Sequence, residues 1–228
     1  MEQHGFFSPD LFKFLDELRI NNKRAWFERN KTRYEQSVRD PLSRVIAALG
    51  RPLRKINPSL VADPRPVGGS MMRIYRDIRF SRDKSPYKTS IAAHFSNVRG
   101  KDLPAPAYYL HFAPGNSGIG AGMWRPPAAA LKQIRDAIVA DPRRWQRVTG
   151  DGEFRAVCGM AGEALKRPPA GYDPDHPLME DLKRKDFTTH TPLTDAQVLS
   201  SDLLETIVAG FRATAPFMRF LSDAVGVK

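Results

Sequence analysis

The residues best equipped for chemistry crowd into one stretch, Arg73-Ile74-Tyr75-Arg76-Asp77-Ile78-Arg79-Phe80-Ser81-Arg82-Asp83-Lys84-Ser85-Pro86-Tyr87-Lys88. Planar guanidinium groups offer paired N–H donors that match carboxylate or phosphate oxygens, and ammonium groups add compact positive charge. Alternation from Arg73 to Phe80 predicts a strand, with Ile74, Ile78 and Phe80 on one face and Arg73, Tyr75, Asp77 and Arg79 on the other. The same rule turns Arg76 away from Arg73, so Arg76 joins the array only if the strand bends or bulges. Asp77 is expected to orient the guanidinium groups. The following turn adds Asp83, Lys84, Tyr87 and Lys88 beside the strand end, and such density at a strand-to-loop junction suits a site.

The expected function is therefore binding of a compact phosphorylated or carboxylated ligand through Arg73, Tyr75, Arg76, Asp77, Arg79, Lys84, Tyr87 and Lys88. In an enzymatic version Lys84 stabilises developing negative charge, and Tyr87 or Asp83 exchanges a proton. The same residues also read as an exposed, salt-bridged strand and turn, or as an internal ion-pair network of a structural or interaction module. In the exposed case each pair contributes only about 0–1 kcal/mol.

The surrounding pattern predicts an α+β fold in one domain spanning 1–228: helical over 8–56, strand-rich over 70–125, helices and loops over 126–228. Ser8-Pro9-Asp10 signals a helix start, with Ser8 as N-cap and Pro9 in the first turn, and Leu11, Phe12, Leu15 and Leu18 on one face. Asn21-Asn22 ends that helix. Phe27, Tyr34, Val38, Leu42, Val45, Leu49, Leu53 and Ile56 continue a helical spacing that Asp40-Pro41 divides into two stacked helices or kinks within one; the division is the expected outcome. After the Pro- and Gly-rich connection 57–69, strands are expected at Arg73–Phe80, Ser90–Asn97, Ala107–Ala113 and Gly118–Trp124, forming a mostly antiparallel sheet. Pro126-Pro127 opens a helix with Leu131, Ile134, Ile138 and Val139 inward, and Asp141-Pro142 a shorter one holding Trp145. The stretch 153–194 reads as irregular apart from a short helix near 178–183, and a final helix from Ser201 or Asp202 is interrupted at Pro216.

Composition narrows the class. A chain of 228 residues with 41% hydrophobic and 10% aromatic content can bury a full core, so stability asks for no cofactor and disorder is not expected. The first residues carry no basic leader with an apolar run, and no later run is long enough to span a membrane, which predicts a cytoplasmic protein with no membrane partner. Cys158 is the sole cysteine, which excludes an internal disulfide and predicts a buried, inert thiol. The net charge of +11 invites an acidic partner. Much of it sits between Arg19 and Lys55, where eleven basic residues face Glu28, Glu35 and Asp40. Arg33, Arg44, Arg51 and Lys55 on one helix side make nucleic acid the alternative partner, against a plain solvated face with snorkelling side chains.

Other motifs carry less. His94, His111, His176 and His190 lack metal-ligand spacing, so no metal site is expected; His111 suits a hydrogen-bonded sheet position, while His176 suits either a loop cap or an approach to the arginine cluster. Gly115, Gly118, Gly120 and Gly122 match no phosphate-cradling fingerprint and fit a strand of small residues better. No nucleophile elbow or Cys–His pairing is visible. Asp77 and Asp83, close to arginines, are better placed to orient them than to act as an acid–base pair.

The pattern Arg73-x-x-Arg76-Asp77-x-Arg79-Phe80 followed by Asp83-Lys84-x-Pro86-Tyr87-Lys88 resembles the signature of a widespread bacterial family, domain of unknown function 2461. Further similarity lies at Asn21-Asn22, Trp26-Phe27, Tyr108-Tyr109-Leu110, Gly120, Gly122, Leu165-Lys166-Arg167, Gly171-Tyr172, His176-Pro177 and Lys185 with Phe187, so the resemblance covers essentially the full length. Ala121 stands where that family often carries another glycine. The resemblance implies no established activity; it implies that the Arg73–Lys88 segment is the group's defining feature.

Overall fold

The computed structural model describes residues 5–96 and 105–227. Five strands form one antiparallel sheet flanked by helices, the α+β class expected from the sequence. In chain order the elements begin with α1 (Asp10–Ile20), α2 (Arg24–Arg29), α3 (Lys31–Tyr34), a π-helical turn (Glu35–Arg39) and α4 (Asp40–Ile56). There follow β1 (Ile91–Ser96), β2 (Ala107–Phe112), β3 (Ser117–Met123), α5 (Ala128–Ala140), α6 (Pro142–Gly150), α7 (Gly152–Val157) and β4 (Gly159–Ala161). The chain closes with α8 (Met179–Leu182), β5 (Phe187–Leu193), α9 (Asp195–Leu199), α10 (Leu203–Ala213) and α11 (Ala215–Ala224). Strand order in the sheet is β1-β2-β3-β5-β4. The described residues gather into two compact units, one comprising 5–95, 109–119 and 192–209, the other 96, 105–108, 120–191 and 210–227.

In the first unit, α1 turns Leu11, Phe14, Leu15 and Leu18 inward and ends where Asn21 caps it, its side chain donating to the Glu17 carbonyl at 3.0 Å. The N-terminal expectation shifts by one residue: Pro9 is the N-cap, and no side chain caps the first turn. The helical spacing from Lys31 to Ile56 forms one uninterrupted helical run, not the two helices expected at Asp40-Pro41. A wide i→i+5 turn lies immediately before Pro41 and takes up the distortion that a proline ring imposes on the turn behind it. Pro52 also lies inside α4. Val38, Leu42, Val45, Leu49 and Leu53 nevertheless all face the core.

The second unit packs around Trp145, with Ile134, Ile138, Phe154, Phe187, Phe217 and Phe220 buried together. Asp141 caps α6 by accepting from Arg144 N at 2.9 Å, with Pro142 in the first turn, as the Asp-Pro signal predicts. Val139, expected inward, is largely exposed.

Two strand expectations change. Arg73–Phe80 is not a strand: its segment pairs only at the isolated bridges Met71–Ala93 and Tyr75–Tyr87. Four steps separate Met71 from Tyr75 but six separate Tyr87 from Ala93. The two extra residues form a bulge that interrupts the ladder. Conversely β5, read as part of an irregular stretch, is a sheet strand between β3 and β4. Its Phe-Thr-Thr-His-Thr-Pro-Leu sequence is mostly polar, and Thr189 is buried with its hydroxyl donating to the Ala121 carbonyl at 3.3 Å. The glycine-bearing segment forms β3, and Asn97 of the expected second strand lies outside the described residues.

Candidate anion cleft

The Tyr75–Tyr87 bridge closes a loop whose stem is held by Arg76 N donating to Pro86 O at 2.9 Å and Lys88 N donating to Ile74 O at 2.8 Å. One side chain, from the turn after α1, fixes this stem from outside. The Asn22 amide donates to Tyr87 O and accepts from Tyr87 N, both at 3.0 Å, so it acts as a two-pronged clamp on the backbone. Tyr87 itself is 1% exposed, stacked on Phe27 with ring centroids 4.1 Å apart, and flanked by Tyr75 at 5.4 Å. Burial raises the pKa of its phenol. Tyr87 is thus an anchor of the core that reaches the rim of a site, a setting that disfavours proton exchange near neutral pH.

A surface cleft of about 590 Å³ opens beside this stem. Its cations are Arg19, Arg76 and Lys88; its carboxylates are Asp77 and Asp83; Asn22, Ser85, Thr89 and Ser90 add amide and hydroxyl groups, and Tyr87 closes one wall. Lys88, Thr89 and Ser90 line the cleft from the longer segment between the two bridges, Lys88 at its stem end.

The sequence-expected residues divide. Arg76, Asp77, Tyr87 and Lys88 line the cleft, whereas Arg73, Tyr75, Arg79 and Lys84 do not. Arg79 is exposed and folds back on Asp77, donating from Nη2 at 2.6 Å and Nε at 3.0 Å. That pairing, with the Arg79 backbone N–H, lowers the Asp77 pKa to about 2. Lys84 donates to the Ile78 carbonyl at 3.0 Å, across the loop. Phe80, expected on the inward face, is 95% exposed, with the Arg79 guanidinium 5.9 Å from its ring centre. Of the guanidinium groups expected from the sequence, Arg76 lines the cleft, oriented by an ion pair with Asp83 and by Ser81 at 3.4 Å. Asp83 also accepts from the Ser85 hydroxyl at 2.6 Å and the Ser85 amide at 2.9 Å. These bonds, the Ser85 hydroxyl first and Arg76 next, hold its carboxyl well below the usual range. Neither Asp77 nor Asp83 is therefore suited to accept a proton near neutral pH.

Lys88 differs from every other cation here. Its side chain is half-buried, and among the described residues no carboxylate pairs with it. Burial and then the neighbouring Arg73 charge lower its pKa. Sequence reading missed Arg19, Asn22, Ser85, Thr89 and Ser90. Arg19 and Asn22 lie more than fifty positions away, and only the Asn21-Asn22 helix stop hinted at them. Among the described residues no group of three or more His, Cys, Asp or Glu side chains is placed to hold a metal. His176 serves as a loop cap, its Nδ1 accepting from Leu178 N at 3.1 Å. Cys158 is buried, with its thiol pKa raised by burial.

Fold and cleft together define an α+β protein with a polar, net-positive surface site built on a bulged two-bridge ribbon. Residues 10–220 match the model of a conserved hypothetical protein family, domain of unknown function 2461, and the chain belongs to that family. Neither the comparison with curated proteins nor that with solved structures finds a match.

Proposed function

We propose that the cleft binds a compact phosphorylated or carboxylated small molecule, with Arg76 and Arg19 as guanidinium anchors and Lys88 adding a third positive charge. The observation that carries this reading is Lys88: a half-buried ammonium without a carboxylate partner, set among hydroxyl and amide groups, offers an incoming anion charge that is only partly hydrated. Arg76 engages Asp83 and Ser81 through its two terminal nitrogens, and its remaining N–H donors fit a bound oxyanion. Arg79 and Lys84 belong instead to a brace for the loop tip, since both bond within it.

The test is thermal unfolding with inorganic phosphate and with citrate, for the parent protein and for Lys88→Gln and Arg19→Gln. Saturable stabilisation is expected in the parent, growing with the logarithm of ligand concentration above Kd, and weakened in both variants. An equal effect of either anion on parent and variants sinks the proposal, because it reports general salt stabilisation.

A further inference from the structure

The three cations of the cleft are not chemically equivalent. Guanidinium groups keep their charge at any physiological pH, whereas an amine withdrawn from water and placed near other cations sheds its proton more readily and becomes a nucleophile. Among the described lysines only Lys88 and Lys183 are half-buried. Lys183 is paired with Glu180 at 2.7 Å, while Lys88 has no such partner. The charged groups around Lys88 are Arg73, which acts on it electrostatically, and the cleft residues Arg19, Arg76, Asp77 and Asp83. Asp77 is engaged by Arg79, and Asp83 by Arg76 and Ser85.

Resting on the anion reading above, we infer that Lys88 is a nucleophilic lysine and that the cleft takes carbonyl compounds bearing a phosphate or carboxylate group. The neutral ε-amine adds to the carbonyl carbon, forming the C–N bond as the carbonyl π pair moves to oxygen. Proton transfer from nitrogen to that oxygen gives a neutral carbinolamine, and its protonated hydroxyl leaves as water, with a proton taken from solvent, to give a protonated imine. The guanidinium groups hold the anionic end of the same molecule, and no oxidant or further reactant is required. The low carboxyl pKa values in the cleft make solvent the proton acceptor when the ammonium form of Lys88 is first deprotonated.

Pyridoxal 5′-phosphate tests this directly, since it joins an aldehyde to a phosphate and its imine is fixed by borohydride. At substoichiometric probe and neutral pH, peptide mass spectrometry should find the reduced adduct on Lys88 in clear excess over exposed lysines such as Lys13 and Lys55. Inorganic phosphate should protect Lys88, pyridoxal without its phosphate should label it less, and Lys88→Arg should lose the adduct. Labelling spread evenly over exposed lysines, with phosphate stabilisation intact, overturns the nucleophile and leaves the anion site standing. Selective Lys88 labelling that is indifferent to phosphate, by pyridoxal and its phosphate alike, supports the nucleophile and removes the anion site.

Discussion

Single side chains hold the cleft open. Asn22 makes two hydrogen bonds to one buried backbone position, and replacement by alanine leaves the Tyr87 N–H and C=O without those partners in a partly buried setting. Asn22→Ala should therefore cost about 1–3 kcal/mol in urea unfolding and weaken phosphate stabilisation as well. Asn22→Asp keeps the acceptor but sets a carboxylate oxygen against the Tyr87 carbonyl, so it should not restore the stability lost in the alanine variant. The loop carboxylates carry a pH signature. Asp77 has a folded pKa of about 2, below its unfolded value, so its contribution is present above the ordinary carboxylate range and disappears as pH falls towards 2. Asp77→Asn should flatten the acid limb of a stability–pH curve between roughly pH 4 and 2, lowering stability at neutral pH by the small amount an exposed pair contributes and converging with the parent near pH 2.

At the scale of elements, the sheet depends on one close approach. Gly122 in β3 has φ +124, and a Cβ there would lie 2.0 Å from the Phe187 carbonyl of β5. Gly122→Ala should destabilise by about 3 kcal/mol or more, read by thermal or urea unfolding, since both the backbone region and the contact forbid a side chain. The α1–α3 pair illustrates how local sequence conceals a partner. Arg33, read as part of a basic helix face, donates to Asp10 at 2.9 Å from Nε and to Glu17 at 2.6 Å from Nη1. Its hydrogen bonds to Asp10 lower that carboxyl's pKa. Arg33→Met should cost about 1–3 kcal/mol, between the values for exposed and buried ion pairs, because it strands two partly buried carboxylates.

For the whole molecule, the question is where the charge of +11 goes. Arg33 and Arg39 are engaged by Asp10, Glu17, Glu35 and Asp40, so the helical segment presents less free positive charge than its composition suggests. Among the described residues no helix is long and apolar enough to cross a membrane. Fluorescence anisotropy with short and long duplex DNA at two salt concentrations should show only weak binding. Tight, length-dependent binding that falls with salt by about 0.9 log units per phosphate contact would restore the nucleic-acid alternative.

The helix boundaries at Asn21 and Asp141-Pro142, the inward stripe of α4 and the small-residue strand β3 were legible in sequence, because caps, proline geometry and periodicity act over a few neighbouring residues. The identity of the segment carrying the cleft was legible for the same reason: its charge density is local. Which of its side chains face the cleft was decided by tertiary structure. The bridge at Tyr75–Tyr87 sets Lys88 beside the cleft, Asp77 and Asp83 claim Arg79 and Arg76, and α1 with the turn after it delivers Arg19 and Asn22 from a distant part of the chain. The strand β5 was hidden likewise, since a threonine earns its buried place only through a hydroxyl acceptor on a neighbouring strand. Local propensity is a property of consecutive residues, whereas pairing of charges and polar groups depends on which distant segments share the same few ångströms.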